Sequence, residues 1–89
     1  MAHSSLKHNK MKLSKTSSGE YRGVETKDGY TITCEASLQD YRGFSYTIRV
    51  NGYIVDSDGY TGLTLGSIKS IISAPYMIED AIKEHTNRF

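Results

Sequence analysis

The dipeptide Asn51-Gly52 constrains this chain more than any other pair of residues. Both central positions of a type I′ turn need positive φ, which asparagine and glycine tolerate, and that turn matches the twist of two flanking strands. The flanks agree with a hairpin. Phe44, Tyr46, Ile48 and Val50 alternate with Ser45, Thr47 and Arg49 before the turn, and Tyr53 and Val55 follow it. Closing the chain at 51–52 sets Tyr53 beside Val50 and Val55 beside Ile48, which keeps one face apolar.

The preceding run has the same period of two. Tyr30, Ile32, Cys34, Ala36 and Leu38 point one way; Thr31, Thr33, Glu35 and Ser37 point the other. A loop over Gln39–Gly43 then sets Ile48 beside Cys34 and Val50 beside Ile32. Further upstream, Lys27-Asp28-Gly29 marks another turn. Read as a three-residue loop it sets Thr26 opposite Tyr30 and Val24 opposite Ile32; a two-residue turn would give the apolar face Lys27, Glu25 and Gly23 instead. The three-residue register is the expected one because it keeps Val24 with the other hydrophobes. The last strand is expected to be short, Tyr53 to about Ser57, ending at Asp58-Gly59.

An apolar sheet face needs a cover, and residues 64–89 can supply it. Thr64 is a helix N-cap candidate, followed by Leu65, Ile68, Ile71 and Ile72 at helical spacing. Ser73 and Pro75 mark a break, since proline suits a first helical turn and not a helix interior. Ile78, Ala81, Ile82, His85 and Phe89 form the stripe of a second helix, with Glu79/Lys83 and Glu84/Arg88 as i, i+4 pairs. The expected fold is α+β: a four-stranded antiparallel β-meander with one or two C-terminal helices packed on one face and a flexible basic N-terminal arm.

Charge separates arm from body. Residues 1–19 carry Lys7, Lys10, Lys12 and Lys15 and no acid, a formal +4. Residues 20–89 carry seven basic and ten acidic residues, a formal −3, so the net +1 conceals the split. The 89 residues accommodate one β-β-β-β-α-α domain (20–89) behind the arm (1–19). No run approaches the ~20 apolar residues of a membrane-spanning helix, and the single cysteine excludes an internal disulfide framework. A cytoplasmic setting is expected, the host's cytoplasm if the chain is phage-encoded.

Chemistry-bearing motifs are sparse. Aligning Asp56-Ser57-Asp58-Gly59 with a calcium loop puts Ile54 and Leu65 where oxygen ligands are required. Cys34 falls on an inward strand face, where a small buried hydrophobe is expected in place of a nucleophile. His85 lies on an apolar helix stripe without a second ligand at metal spacing. Glu35 and Arg49 suit a cross-strand ion pair on the outward face. The expectation is a non-enzyme with no cofactor, no metal site and no catalytic residues.

Seven tyrosines are the unusual enrichment, against two phenylalanines. Tyr30, Tyr46 and Tyr53 suit strands, whereas Tyr41 and Tyr60 fall near glycines in expected loops. Tyrosine and arginine favour recognition surfaces, so Tyr41, Arg42, Tyr60 and Tyr53 are the candidate protein contacts. The leading expectation is a small interaction protein that binds and modulates a larger protein or complex. Its inhibitor or regulator role is drawn from phage and mobile-element products, anti-CRISPR proteins included, by analogy of fold alone. The alternative is a nucleic-acid-binding protein using Lys7, Lys10, Lys12 and Lys15 on phosphates and exposed tyrosines on bases. Either function is compatible with a monomer or an edge-strand homodimer.

Overall fold

A computed structural model of the chain describes residues 11–39 and 43–88. Its elements are β1 (Ser14–Ser17), β2 (Glu20–Lys27), β3 (Tyr30–Leu38), β4 (Phe44–Val50), β5 (Tyr53–Leu63), α1 (Leu65–Ile72) and α2 (Met77–Arg88). The strands form one antiparallel sheet in the order β1-β2-β3-β4-β5. This is an α+β fold with five strands, one more than expected.

The two central strands follow the period-two pattern. Ile32, Cys34 and Ala36 of β3 and Tyr46, Ile48 and Val50 of β4 are buried on one face, with Cys34 opposite Ile48 and Ile32 opposite Val50. Asn51 and Gly52 take φ of +51° and +89°, and Val50 pairs with Tyr53, as the turn dipeptide requires. Asn51 contributes further through its side chain. Its Oδ1 accepts from the Thr31 N–H at 2.9 Å while its own N–H donates to the Thr31 carbonyl at 2.8 Å. The turn is thereby fastened to the first residues of β3.

Helices α1 and α2 cover this face with Ile68, Ile72, Ile78 and Ala81. Burying an isoleucine of this kind contributes about 1.5–3 kcal/mol. Thr64 is the N-cap: its extended backbone (φ −88°, ψ 160°) lets Oγ1 accept from the Ser67 N–H at 3.0 Å. The helix stops at Ser73, and α2 starts beyond Pro75.

Several expectations are corrected. The sheet begins inside the stretch read as a flexible arm, because Ser14–Ser17 pair with β2 and Met11 is buried in the core. A short polar strand suits a sheet edge, where it satisfies the outer backbone groups of β2 without offering an apolar rim. The second correction concerns the β2–β3 turn, which has two residues, Asp28 and Gly29, at φ +53° and +83°. Lys27 therefore faces Tyr30 and Gly23 faces Cys34, and Val24 is left 45% exposed. The register that strands Val24 is tolerated because Met11 fills the space over Gly23.

The third correction is the length of β5, which continues to Leu63 through the Asp58-Gly59 pair expected to end it. Tyr46 pairs with Asp58 and Phe44 with Leu63, so the first half of β4 gains a partner across an irregularity. A second irregularity displaces the expected Val55–Ile48 pair: Arg49 faces Ile54, Ile48 faces Asp56, and Val55 is the extra residue. Among ion pairs, Glu84–Arg88 and Glu35–Arg49 form, and Arg22 joins Glu35 from β2. Glu79, expected to face Lys83, instead meets Lys27 at 2.7 Å and ties α2 to the β2–β3 hairpin.

Candidate binding groove

A groove of about 650 Å³ opens between the β4–β5 side of the sheet and the helices. One stripe of α2 forms a wall: Met77, Asp80, Ala81 and Glu84, at spacing i, i+3, i+4 and i+7. The sheet supplies Ile48, Val55 and Asp56, and the β5 bulge explains why the adjacent residues Val55 and Asp56 both line it. Ile71 and the connection Ala74-Pro75-Tyr76 close the end, with Tyr76 63% exposed at the rim.

The groove has an apolar floor and a carboxylate-bearing wall. Its acidic residues are Asp56, Asp80 and Glu84, and among the described residues no lysine, arginine or histidine lines it. Tyr46 donates its hydroxyl to Asp56 Oδ2 at 3.0 Å, while Glu84 Oε2 accepts from Arg88 Nε at 2.9 Å. Burial, reinforced by the bond to Asp56, pushes the Tyr46 phenol up to about 12. The three carboxylates are spread along the groove; among the described residues no cluster of three or more His, Cys, Asp or Glu could hold a metal ion.

Cys34 is fully buried, and burial raises its thiol to about 12, so it is a core side chain as expected. His85 is also buried, with its ring 6.0 Å from Tyr30 and 5.7 Å from Tyr53. Tyr53, a candidate contact, is 53% exposed at the start of β5 and packs one side against that imidazole. Tyr60, expected in a loop, falls within β5. Tyr41 and Arg42, and Lys7 and Lys10 of the alternative reading, lie outside the described residues. Lys12 is exposed just before β1, and Lys15 is exposed within it opposite Tyr21.

The sequence reading missed Asp56, Tyr76, Asp80 and Glu84 as site residues. Nothing in the i, i+4 spacing of Asp80 and Glu84 announces that β5 bulges to leave a groove beside them. The signal for Tyr76 was its place directly after Pro75, in a connection too short to bury it. On the opposite sheet face the Arg22–Glu35–Arg49 ion group is surrounded by threonines, and the described aromatic side chains of β2–β4 lie on the helix side or its margins. Among the described residues, no helix is long and apolar enough to cross a membrane. No family model matches the chain, and neither does any curated protein or solved structure.

Proposed function

We propose that this chain is a small non-catalytic interaction protein that docks on a larger protein or complex and modulates it. The observation that carries this reading is the groove beside α2, an apolar floor with an exposed tyrosine and carboxylates at its margin. Aromatic anchors beside a concave apolar surface are what protein recognition uses. An inhibitor or regulator of host machinery, as encoded by phages and mobile elements, fits a scaffold of this size, acting in a cytoplasm. A monomer suits the sheet edges: β1 is short and polar, and Arg88 Nη1 donates to the Ile54 carbonyl at 3.1 Å, occupying an outer acceptor of β5.

Crosslinked affinity purification, followed by reconstitution with the purified partner, tests this proposal. Tyr76→Ala, at an exposed rim position, is expected to weaken the reconstituted complex about tenfold or more while leaving the thermal melt unchanged. A complex indifferent to Tyr76→Ala but lost on nuclease treatment, or on Lys12→Glu with Lys15→Glu, would replace this proposal with nucleic-acid binding.

A further inference from the structure

We infer that the groove takes a cationic, apolar-centred peptide segment: a short aliphatic run flanked by arginine or lysine. This rests on the interaction reading above and names the chemistry of the partner. Charge complementarity selects the occupant. The groove presents Asp56, Asp80 and Glu84, and among the described residues its lining contains no cation. Asp56 and Glu84 have donors already, from Tyr46 and Arg88, whereas Asp80 stands on the exposed side of α2 between the apolar Met77 and Ala81 positions of the same stripe.

Apolar and charged surfaces alternate over a short distance here. Ile48, Val55, Ile71 and Ala81 offer a floor for aliphatic side chains. A volume of about 650 Å³ admits a few side chains and excludes a whole domain edge. Carboxylates bordering such a floor reject an acidic segment by like-charge repulsion and attract a basic one, so the selectivity is electrostatic while the affinity is apolar. A purely polar basic peptide leaves the floor wet, and a purely apolar one leaves the carboxylates unmatched.

The test uses the full chain and labelled capped peptides in a fluorescence anisotropy titration. One peptide has a Leu-Ile run flanked by arginines; the second replaces the arginines with glutamates, and the third replaces the run with serines. The arginine-flanked peptide is expected to bind at least about tenfold more tightly than either control, and to weaken in high salt. Asp80→Lys is expected to weaken it by about tenfold or more, and Asp80→Asn by less. Equal binding of the glutamate or serine peptide, or an unchanged affinity in Asp80→Lys, overturns the assignment. If deleting residues 2–10 tightens the arginine-flanked peptide more than about tenfold, the chain's own basic segment is the occupant and the partner assignment falls. A reconstituted partner that needs Tyr76 but ignores Asp80→Lys defeats the cationic assignment alone; the absence of any Tyr76-dependent partner defeats the interaction reading beneath it.

Discussion

Met11 occupies the space that a side chain on residue 23 would need: a Cβ placed on Gly23 would stand 2.8 Å from Met11 Cγ and 3.1 Å from Met11 Sδ. The Lys12 carbonyl oxygen is closer still, at 2.7 Å. Gly23→Ala therefore forces the 11–12 segment off the sheet, with an expected loss of about 1–3 kcal/mol in urea unfolding, typical of overpacking. Met11→Ala removes the filler and is expected to cost about 2–5 kcal/mol. The double variant should lose less than the sum, because the thioether clash is gone while the carbonyl clash stays. Strict additivity would show that the two residues do not share this space.

The same contact fixes where the chain can be cut. A deletion of residues 2–10 retains Met11 and Leu13, both of which pack in or against the core. A deletion through residue 18 removes those two residues and β1 as well. The shorter deletion is expected to leave the thermal midpoint near that of the full chain, and the longer one to lower it by more than about 8 °C. Equal midpoints would assign Met11 no structural role. Any test of the basic lysines must accordingly use the shorter cut, or charge reversal at Lys12 and Lys15.

The legible parts of this fold were those whose determinants lie close together in sequence. The 51–52 turn, the Cys34–Ile48 register and the Thr64 cap each depend on a few adjacent residues. Val24 misled the β2–β3 register because apolar content favoured turning it inward. The inward position belongs to Gly23, whose vacancy is filled from twelve residues upstream. A period-two pattern cannot reveal a filler supplied by another segment. The groove failed to register for a related reason: Asp56 is opposite Ile48 only because Val55 bulges, and a bulge changes strand pairing without changing composition.

The helix layer offers a contrast between a cap and an ion pair. Thr64→Ala leaves the Ser67 N–H without its 3.0 Å acceptor and is expected to cost about 1 kcal/mol. Glu79→Gln breaks the pair with Lys27, whose amine that hydrogen bond holds above its ordinary 10.5. Because Lys27 Nζ and Glu79 meet in solvent, the urea midpoint should move much less in Glu79→Gln than in Thr64→Ala. Parallel titrations of the two variants decide the ordering, and the reverse ranking would make the hairpin-to-α2 bridge the stronger restraint.

Stability should fall at alkaline pH through two buried acids. Burial lifts Cys34 from 9.0 to about 12, and burial together with the Asp56 bond lifts Tyr46 from 10.0 to about 12. The unfolded chain thus loses these protons first and binds fewer of them than the folded chain across that interval. By linkage, the stabilisation is complete below about pH 9 and is lost as pH rises towards about pH 12. Urea midpoints measured across the window should decline, and Cys34→Ala should delay the onset to the Tyr46 range near pH 10. Thiol labelling provides an independent check, since a fully buried thiol should react with a disulfide reagent only as fast as the sheet opens. Labelling of the native protein at the rate of a free thiol would show that Cys34 is not sealed between Ile32 and Ala36, and the alkaline decline would then carry no Cys34 contribution.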